Sequence, residues 1–338
     1  MTRPSREHED LMLTAAELYH YEGLTQSEVA AQLGTTRWTV GRLLEDARTA
    51  GIVRVVIDHP RARRHELELR LKAAFGLRDV VVVSAQPSPA ATLKAVAQAA
   101  ARQLTSIRPA PVKMAVSWGR TVAAVAAELP QGWSQGLEVV QTNGGPTLTR
   151  GNPVGDSLYA LALKGGGGVR GLAAPTILEN ADLAALLRQD AAVASTLRAA
   201  EACRLMLYSP GTAEPDSVLV ESGYVSGQDM ERLRLAGAVG DVMSHFIAAD
   251  GSPVDPELDA RTLSVKLDLV RRCPVVLAVA SGPAKRAATV AAVRSGLCTG
   301  LITDSAIAAA LWAARPQTDR TDPADPTDPT PSDRTDPV

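Results

Sequence analysis

The sequence predicts an α/β protein: an N-terminal helix-turn-helix module followed by a larger, Rossmann-like domain with a largely parallel sheet. Three observations carry that expectation. Leu24 to Val53 spells two short helices joined by a glycine. Beyond Gly76, short β-branched runs alternate with amphipathic stretches, the pattern of a parallel sheet covered by helices. A chain of 338 residues with 46% hydrophobic content is long enough for a small module and one large core. The expected division is 1–57 for the helix-turn-helix, 58–76 for a connecting helix, 77–315 for the α/β domain and 316–338 for a disordered tail.

In the first module, Thr25 and Glu28 have the spacing of a capping box, each side chain able to satisfy a free backbone N–H of the first turn. Val29, Ala30 and Leu33 then face inward, Gly34 supplies the reversal, and Thr35 or Thr36 can cap the next helix. Val40, Leu43, Leu44 and Ala47 follow at the spacing of one buried stripe. At about 100° per residue, Trp38, Arg42 and Glu45 fall opposite that stripe, with Arg37 and Thr39 on its flanks. A helix presenting these side chains suits the major groove of double-stranded DNA, where arginine bonds guanine O6 and N7 and threonine reaches bases or phosphates. The DNA-contacting set is therefore Thr36, Arg37, Trp38, Thr39 and Arg42. Trp38 has two fates open to it, presentation to DNA or burial against the preceding helix, residues 9–21. Residues 24–54 hold four arginines against three acids, so DNA affinity must come from a local patch, doubled by dimerisation.

Ile52 to Ile57 is β-branched and suggests a strand or wing closing the module, and Arg61 to Phe75 reads as a helix with Leu67, Leu71 and Phe75 on one side. The strands expected after it are Val80–Val83, Val112–Val116, Leu137–Gln141, Arg204–Tyr208, Val242–Ala248 and Val275–Ala280. Ligands of such folds sit beyond the carboxyl ends of the strands. Four loops of small and polar residues lie there: Ser117-Trp118-Gly119-Arg120-Thr121, Thr142-Asn143-Gly144-Gly145-Pro146, Ser209-Pro210-Gly211-Thr212 and Ser281-Gly282-Pro283-Ala284-Lys285. The first enters a helix, so N–H groups, a hydroxyl and a guanidinium converge as a phosphate requires. In the last, Lys285 places a cation beside free N–H groups, an arrangement that calls for an anion. Gly165 to Gly168 lacks convergent side chains and reads as a flexible loop.

Other classes recede. No apolar run reaches the ~18 residues of a membrane span, and the charged N-terminus (Arg3, Arg6, Glu7, Glu9, Asp10) has no signal-peptide core, so a cytoplasmic protein is expected. Cys203, Cys273 and Cys298 have no C-x-x-C spacing and no histidine cluster beside them, which argues against disulfides and zinc. Asp241 and His245 could share a helix face, without a third metal ligand nearby; a structural role suits them better. Arg315 to Val338 repeats Thr-Asp-Pro, with six prolines and six aspartates, and has almost no apolar surface to offset ordering entropy. No cofactor is expected, since no strand is followed by the G-x-G-x-x-G of a dinucleotide site.

Taken together, Leu24–Val53, Trp118-Gly119-Arg120-Thr121, Asn143-Gly144-Gly145, Gly237-Ala238-Val239-Gly240-Asp241, Val279 to Lys285 and Leu301-Ile302-Thr303-Asp304 resemble the SorC family of sugar-binding transcriptional regulators over residues 8–314. The resemblance implies an effector domain related to sugar-phosphate isomerases and deaminases. In it, a sugar or polyol, phosphorylated by preference, controls operator binding by a homodimer or homotetramer. It also implies a pocket of Gly119, Arg120, Thr121, Asn143, Gly144, Gly145, Gly211 and Lys285. The chain departs from the family at Ser281, at Ser209-Pro210-Gly211 and at Gly41, where the family favours glycine, Gly-Ile-Gly and serine. The rival reading is an active isomerase or deaminase with an appended DNA-binding module. Asp216, Glu221, Asp241 and Asp304 are available to it, but no His-Asp or paired-carboxylate arrangement stands out among the loops.

Overall fold

The computed structural model describes residues 6–53, 64–145 and 153–316. Residues 54–57 of the expected wing, 61–63 of the following helix, Pro146 and the tail from 317 onward lie outside these residues. Two compact units divide the chain between His59 and Pro60.

The first unit contains helices α1 (Arg6–His20), α2 (Gln26–Gln32) and α3 (Arg37–Thr49). The capping box forms: Thr25 N–H donates to Glu28 Oε2 at 2.8 Å and Glu28 N–H to Thr25 Oγ1 at 3.4 Å. Thr36 caps α3, accepting from Thr39 N–H at 3.1 Å. Met12, Ala15 and Ala16 of α1 close on Val29 and Ala30 of α2 and on Val40, Leu43, Leu44 and Ala47 of α3. All four stripe residues of α3 are buried, whereas Arg37, Trp38 and Arg42 on its other side are exposed.

In the second unit, helix α4 (His65–Phe75) is bound into the domain. Leu71 is fully buried, and the buried Glu68 carboxylate accepts the Val82 N–H at 2.8 Å. The sheet consists of β1 (Asp79–Val83), β2 (Lys113–Val116), β3 (Glu138–Gln141), β4 (Gly168–Arg170), β5 (Leu205–Tyr208), β8 (Val275–Ala280) and β9 (Gly300–Asp304). It has seven strands in the order β1-β9-β8-β5-β2-β3-β4, and every pair is parallel. Alternate strand residues serve the two faces. Val81, Val83, Met114, Val116, Val139 and Leu207 pack on helices α5 (Pro89–Ser106), α6 (Arg120–Glu128) and α7 (Pro153–Lys164). Val80, Val82, Ala115, Val140, Met206 and Tyr208 pack on Leu71 and on the helices Ala191–Glu201, Arg286–Arg294 and Ser305–Ala313.

Strands β2, β3 and β4 step one way across the sheet, whereas β5 returns to the other side of β2 and β8 and β9 continue from it. The chain thus reverses between the neighbouring strands β2 and β5. A crevice opens at such a point.

Four expectations need correction. Val242–Ala248 is not a strand of the sheet but an antiparallel hairpin of β6 (Gly240–Val242) and β7 (His245–Ile247). It turns at Met243 (φ +51°) and Ser244 (φ +73°), the paired positive φ of a two-residue hairpin turn. Asp241 and His245 consequently do not share a helix face. The His245 ring lies between Asp259 Oδ1, 2.6 Å from Nδ1, and the Val265 carbonyl, 3.1 Å from Nε2. Gly165–Gly168 is not a loose loop: a Cβ on Gly167 would fall 2.0 Å from Leu137 O, and Gly168 opens β4. The glycines let the end of α7 lie directly on the start of β3. The edge strand β4 and the inner strand β9 were both unanticipated.

Candidate functional site

Two groups of residues stand out, one in each unit. On α3, Arg37, Trp38 and Arg42 are exposed, Trp38 to 73%. Burial of Trp38 against α1 is therefore not what the fold does with it. The Arg42 guanidinium lies over the Trp38 ring at 5.4 Å, a geometry that orients both side chains outward. The Thr36 and Thr39 hydroxyls are 2.9 Å apart, shared between the cap and each other. Gln26, Arg37, Trp38, Gly41 and Arg42 line an open concavity on this face.

In the second unit the focus is Lys285, half-buried beyond the end of β8. Its ammonium donates to Thr121 Oγ1 at 2.9 Å and to Ser209 Oγ at 2.5 Å. It thereby joins the β2, β5 and β8 loops across the crevice. Desolvation lowers its pKa from 10.5 to about 8; nearby Asp241 opposes the shift and Arg120 adds to it. Thr121 lies in the first turn of α6, whose N-cap residue Gly119 has no side chain with which to satisfy the first free N–H groups. The 3-10 turn Pro283–Lys285 that starts the helix after β8 has no side-chain cap either. By contrast, Ser88, Asn180, Ser217, Asp255 and Asp304 cap other helices of the unit. Arg120 stands at the same helix start, its Nη2 donating to Asp216 O at 2.6 Å and its Nη1 lying 3.6 Å from Glu221.

Gly211 and Asp241 pair through their backbones, and a Cβ on Gly211 would fall 1.8 Å from Asp241 Oδ1. Only a glycine lets that carboxylate approach. Burial raises the pKa of Asp241 to about 6, against the pull of the Ser244 N–H, which donates to Oδ2 at 2.9 Å, and of Lys285 and His245.

Asn143, Gly144 and Gly145 occupy a different position from the one expected of ligand donors. The buried Asn143 amide accepts from Ser117 and Thr142, each at 3.0 Å, and donates to Ser244 Oγ at 2.9 Å, which Thr176 also meets at 3.1 Å. Gly144 N–H bonds Leu263 O and its carbonyl takes the Trp118 indole N–H at 2.6 Å; a Cβ there would meet Pro175 O at 2.3 Å. Gly145 N–H bonds Ala174 O, and the Tyr224 hydroxyl donates to its carbonyl. These polar atoms are all engaged, so the segment forms a frame that ties the β2 and β3 loops to the β6–β7 turn.

The structure thus brings Gly119, Arg120, Thr121 and Lys285 to one place, sets Gly211 there through Asp241, and holds Asn143–Gly145 in the supporting frame. Sequence reasoning missed Ser209 as a partner of Lys285, although it named the loop. It named Asp304 only as an available acid and missed its bracing role: Oδ2 accepts the Gly282 N–H at 2.8 Å while Oδ1 caps the next helix, fixing the lysine's loop to β9. An Asp-Ser step before an apolar helix is a cap signal and could have found it. Ser244 gives no local signal, because its partners are 101 and 68 residues away. Among the described residues no group of three or more His, Cys, Asp or Glu is placed to hold a metal.

Residues 59–313 match the family described as "Putative sugar-binding domain". The transcriptional regulator LsrR of Klebsiella pneumoniae is 30% identical over 312 residues, covering 90% of this chain and 93% of that protein. The deoxyribonucleoside regulator of Bacillus subtilis is 28% identical over 308 residues, covering 90% and 98%. Among solved structures, the full-length sorbitol operon regulator SorC from Klebsiella pneumoniae superposes with a TM-score of 0.67 at 26% identity, covering 91% of this chain and 99% of that one. The family resemblance and the doubly wound fold agree with these relationships, and the chain belongs to the SorC family of sugar-binding transcriptional regulators.

Proposed function

We propose that this protein binds operator DNA through α3 and that a phosphorylated sugar or polyol, held at the Lys285 loop cluster, controls that binding. The observation that carries the effector half is Lys285 itself: a desolvated ammonium, with no described carboxylate in ion-pair distance, beside the uncapped start of α6. Unpaired cationic charge and free N–H groups in one crevice are stabilised by an anion with several acceptor oxygens. Arg120 adds a second cation at the rim, and the hydroxyls of Thr121 and Ser209 supply neutral donors. The α3 face supplies the DNA half with Arg37 and Arg42 beside the cap residues Thr36 and Thr39. Two copies in a homodimer, or four in a tetramer, would set two such helices on half-sites a whole number of helical turns apart. No described helix is long and apolar enough to cross a membrane, and a cytoplasmic regulator fits that reading.

A catalytic reading draws on one observation, the elevated pKa of Asp241 in the same crevice. Sugar-phosphate isomerisation needs a second acid or base within reach. Of the candidates, Asp216 is exposed and gives Arg120 its backbone carbonyl, Glu221 faces Arg120, Asp304 is spent on three backbone N–H groups, and His245 faces Asp259. A regulator without turnover is therefore the better reading of the site.

The test is thermal unfolding of the full chain against sugar phosphates, polyol phosphates, free sugars and nicotinamide dinucleotides. A ligand at 100 times its Kd stabilises the native state by about 2.7 kcal/mol. A rise with one phosphorylated sugar, which is then recovered unchanged, supports the proposal. A rise only with unphosphorylated sugars removes the phosphate role from Lys285.

A further inference from the structure

Gly41 stands inside α3, five residues after its cap, where glycine is less favourable than alanine. Nothing among the described residues asks for it. Its φ is not in the positive region, and the single atom near the place of a Cβ is Gln26 Oε1, at an ordinary 3.7 Å. No described residue accounts for the missing side chain, which directs attention to what the exposed side of α3 meets.

Its surroundings indicate what approaches. Gly41 leaves bare helix backbone as the floor of the concavity lined by Gln26, Arg37, Trp38 and Arg42. The Trp38 indole forms an apolar wall, kept upright by the Arg42 guanidinium stacked on it at 5.4 Å. The Gln26 amide stands on the rim next to the glycine. Major-groove edges of guanine, cytosine and adenine are polar, whereas thymine alone carries an apolar 5-methyl group, with the O4 acceptor beside it. A bare backbone and an indole suit the methyl, and a half-turn of the Gln26 amide, whose Oε1 now faces the glycine, would present its N–H₂ to O4.

We propose that the notch over Gly41 receives the 5-methyl group of a thymine in each operator half-site, with Gln26, Trp38 and Gly41 as specificity-determining residues. The inference rests on the reading of α3 as the DNA-contacting helix. Its test begins with the full-length protein and a pool of randomised duplex DNA. In the enriched sequence each thymine is replaced in turn by uracil, which removes only the methyl, and Kd is measured by fluorescence anisotropy. One thymine per half-site should lose roughly fourfold in affinity, the equivalent of one buried methyl. In Trp38→Ala, thymine and uracil at that position should bind alike. In Gly41→Ala, affinity for the thymine operator should fall while the melting temperature rises, because helix propensity improves as the notch fills. An enriched sequence with a flat uracil scan, or a Gly41→Ala protein with unchanged affinity, overturns the notch while leaving α3 as the DNA-binding helix. A pool with no enriched sequence overturns both.

Discussion

Replacing Lys285 by methionine should separate stability from response. Desolvation holds the lysine's pKa at about 8 against an ordinary 10.5, which corresponds to about 3 kcal/mol acting against the charged form. The folded value lies below the unfolded one, so between about pH 8 and 10.5 the folded state binds fewer protons. Stability contributed by this group therefore rises with pH across that window, and below it the charged lysine costs the full amount. Methionine removes that cost at pH 7 but also the hydrogen bonds to Thr121 and Ser209, each worth about 1 kcal/mol. The net expectation is a variant about 1–2 kcal/mol more stable than wild type at pH 7, with the difference shrinking towards pH 10. Urea unfolding at a series of pH values measures it. In parallel the variant should lose all thermal stabilisation by the phosphorylated sugar and keep its operator affinity. A variant that is less stable at pH 7, or that still responds to the ligand, would refute the assignment of Lys285 as a strained anion receptor.

Three further outcomes follow from the same geometry. Arg42→Ala should cost about 1–3 kcal/mol of operator binding and relax preference at one base pair; a gel-shift titration with single-base variants reads both. Gly211→Ala forces a Cβ into the Asp241 carboxylate and should destabilise the fold by about 1–3 kcal/mol, seen as a lower urea midpoint, with weakened ligand response. Because Lys285 titrates at about 8, affinity for a phosphorylated sugar should decline as pH rises through that value, and binding near pH 8 should take up protons. Calorimetry in two buffers of different ionisation enthalpy detects the uptake.

Much of the fold is legible where local chemistry and burial agree. The capping box at Thr25 and Glu28, the cap at Thr36 and the buried stripe of α3 use contacts within a few residues, and a 3.6-residue period exposes them. The sheet strands β1, β2, β3, β5 and β8 are apolar runs bounded by polar loops. β9 is hidden because Gly300–Asp304 runs straight into the apolar helix Ser305–Ala313, with only the Asp304-Ser305 cap between them. β4 is hidden because glycines needed for close packing on Leu137 look like slack. The β6–β7 turn is hidden because its positive φ values fall on Met243 and Ser244, neither of which advertises a turn. In the site, Lys285 could be recognised as a cation at a helix start. That Asn143 braces the loops depends on Ser117 and Ser244, 26 and 101 residues distant, and only the folded chain brings them together.

In the proposed function, the crevice and the helix, in different units of the chain, are coupled through a phosphorylated sugar. The direct measurement is an anisotropy titration of the selected operator with the full-length protein, with and without the sugar phosphate that raises its melting temperature. A ligand-dependent change in Kd of about fivefold or more, absent in Lys285→Met, is the expected result, since allosteric coupling typically amounts to 1–3 kcal/mol. An operator Kd that stays the same at saturating ligand would contradict the account.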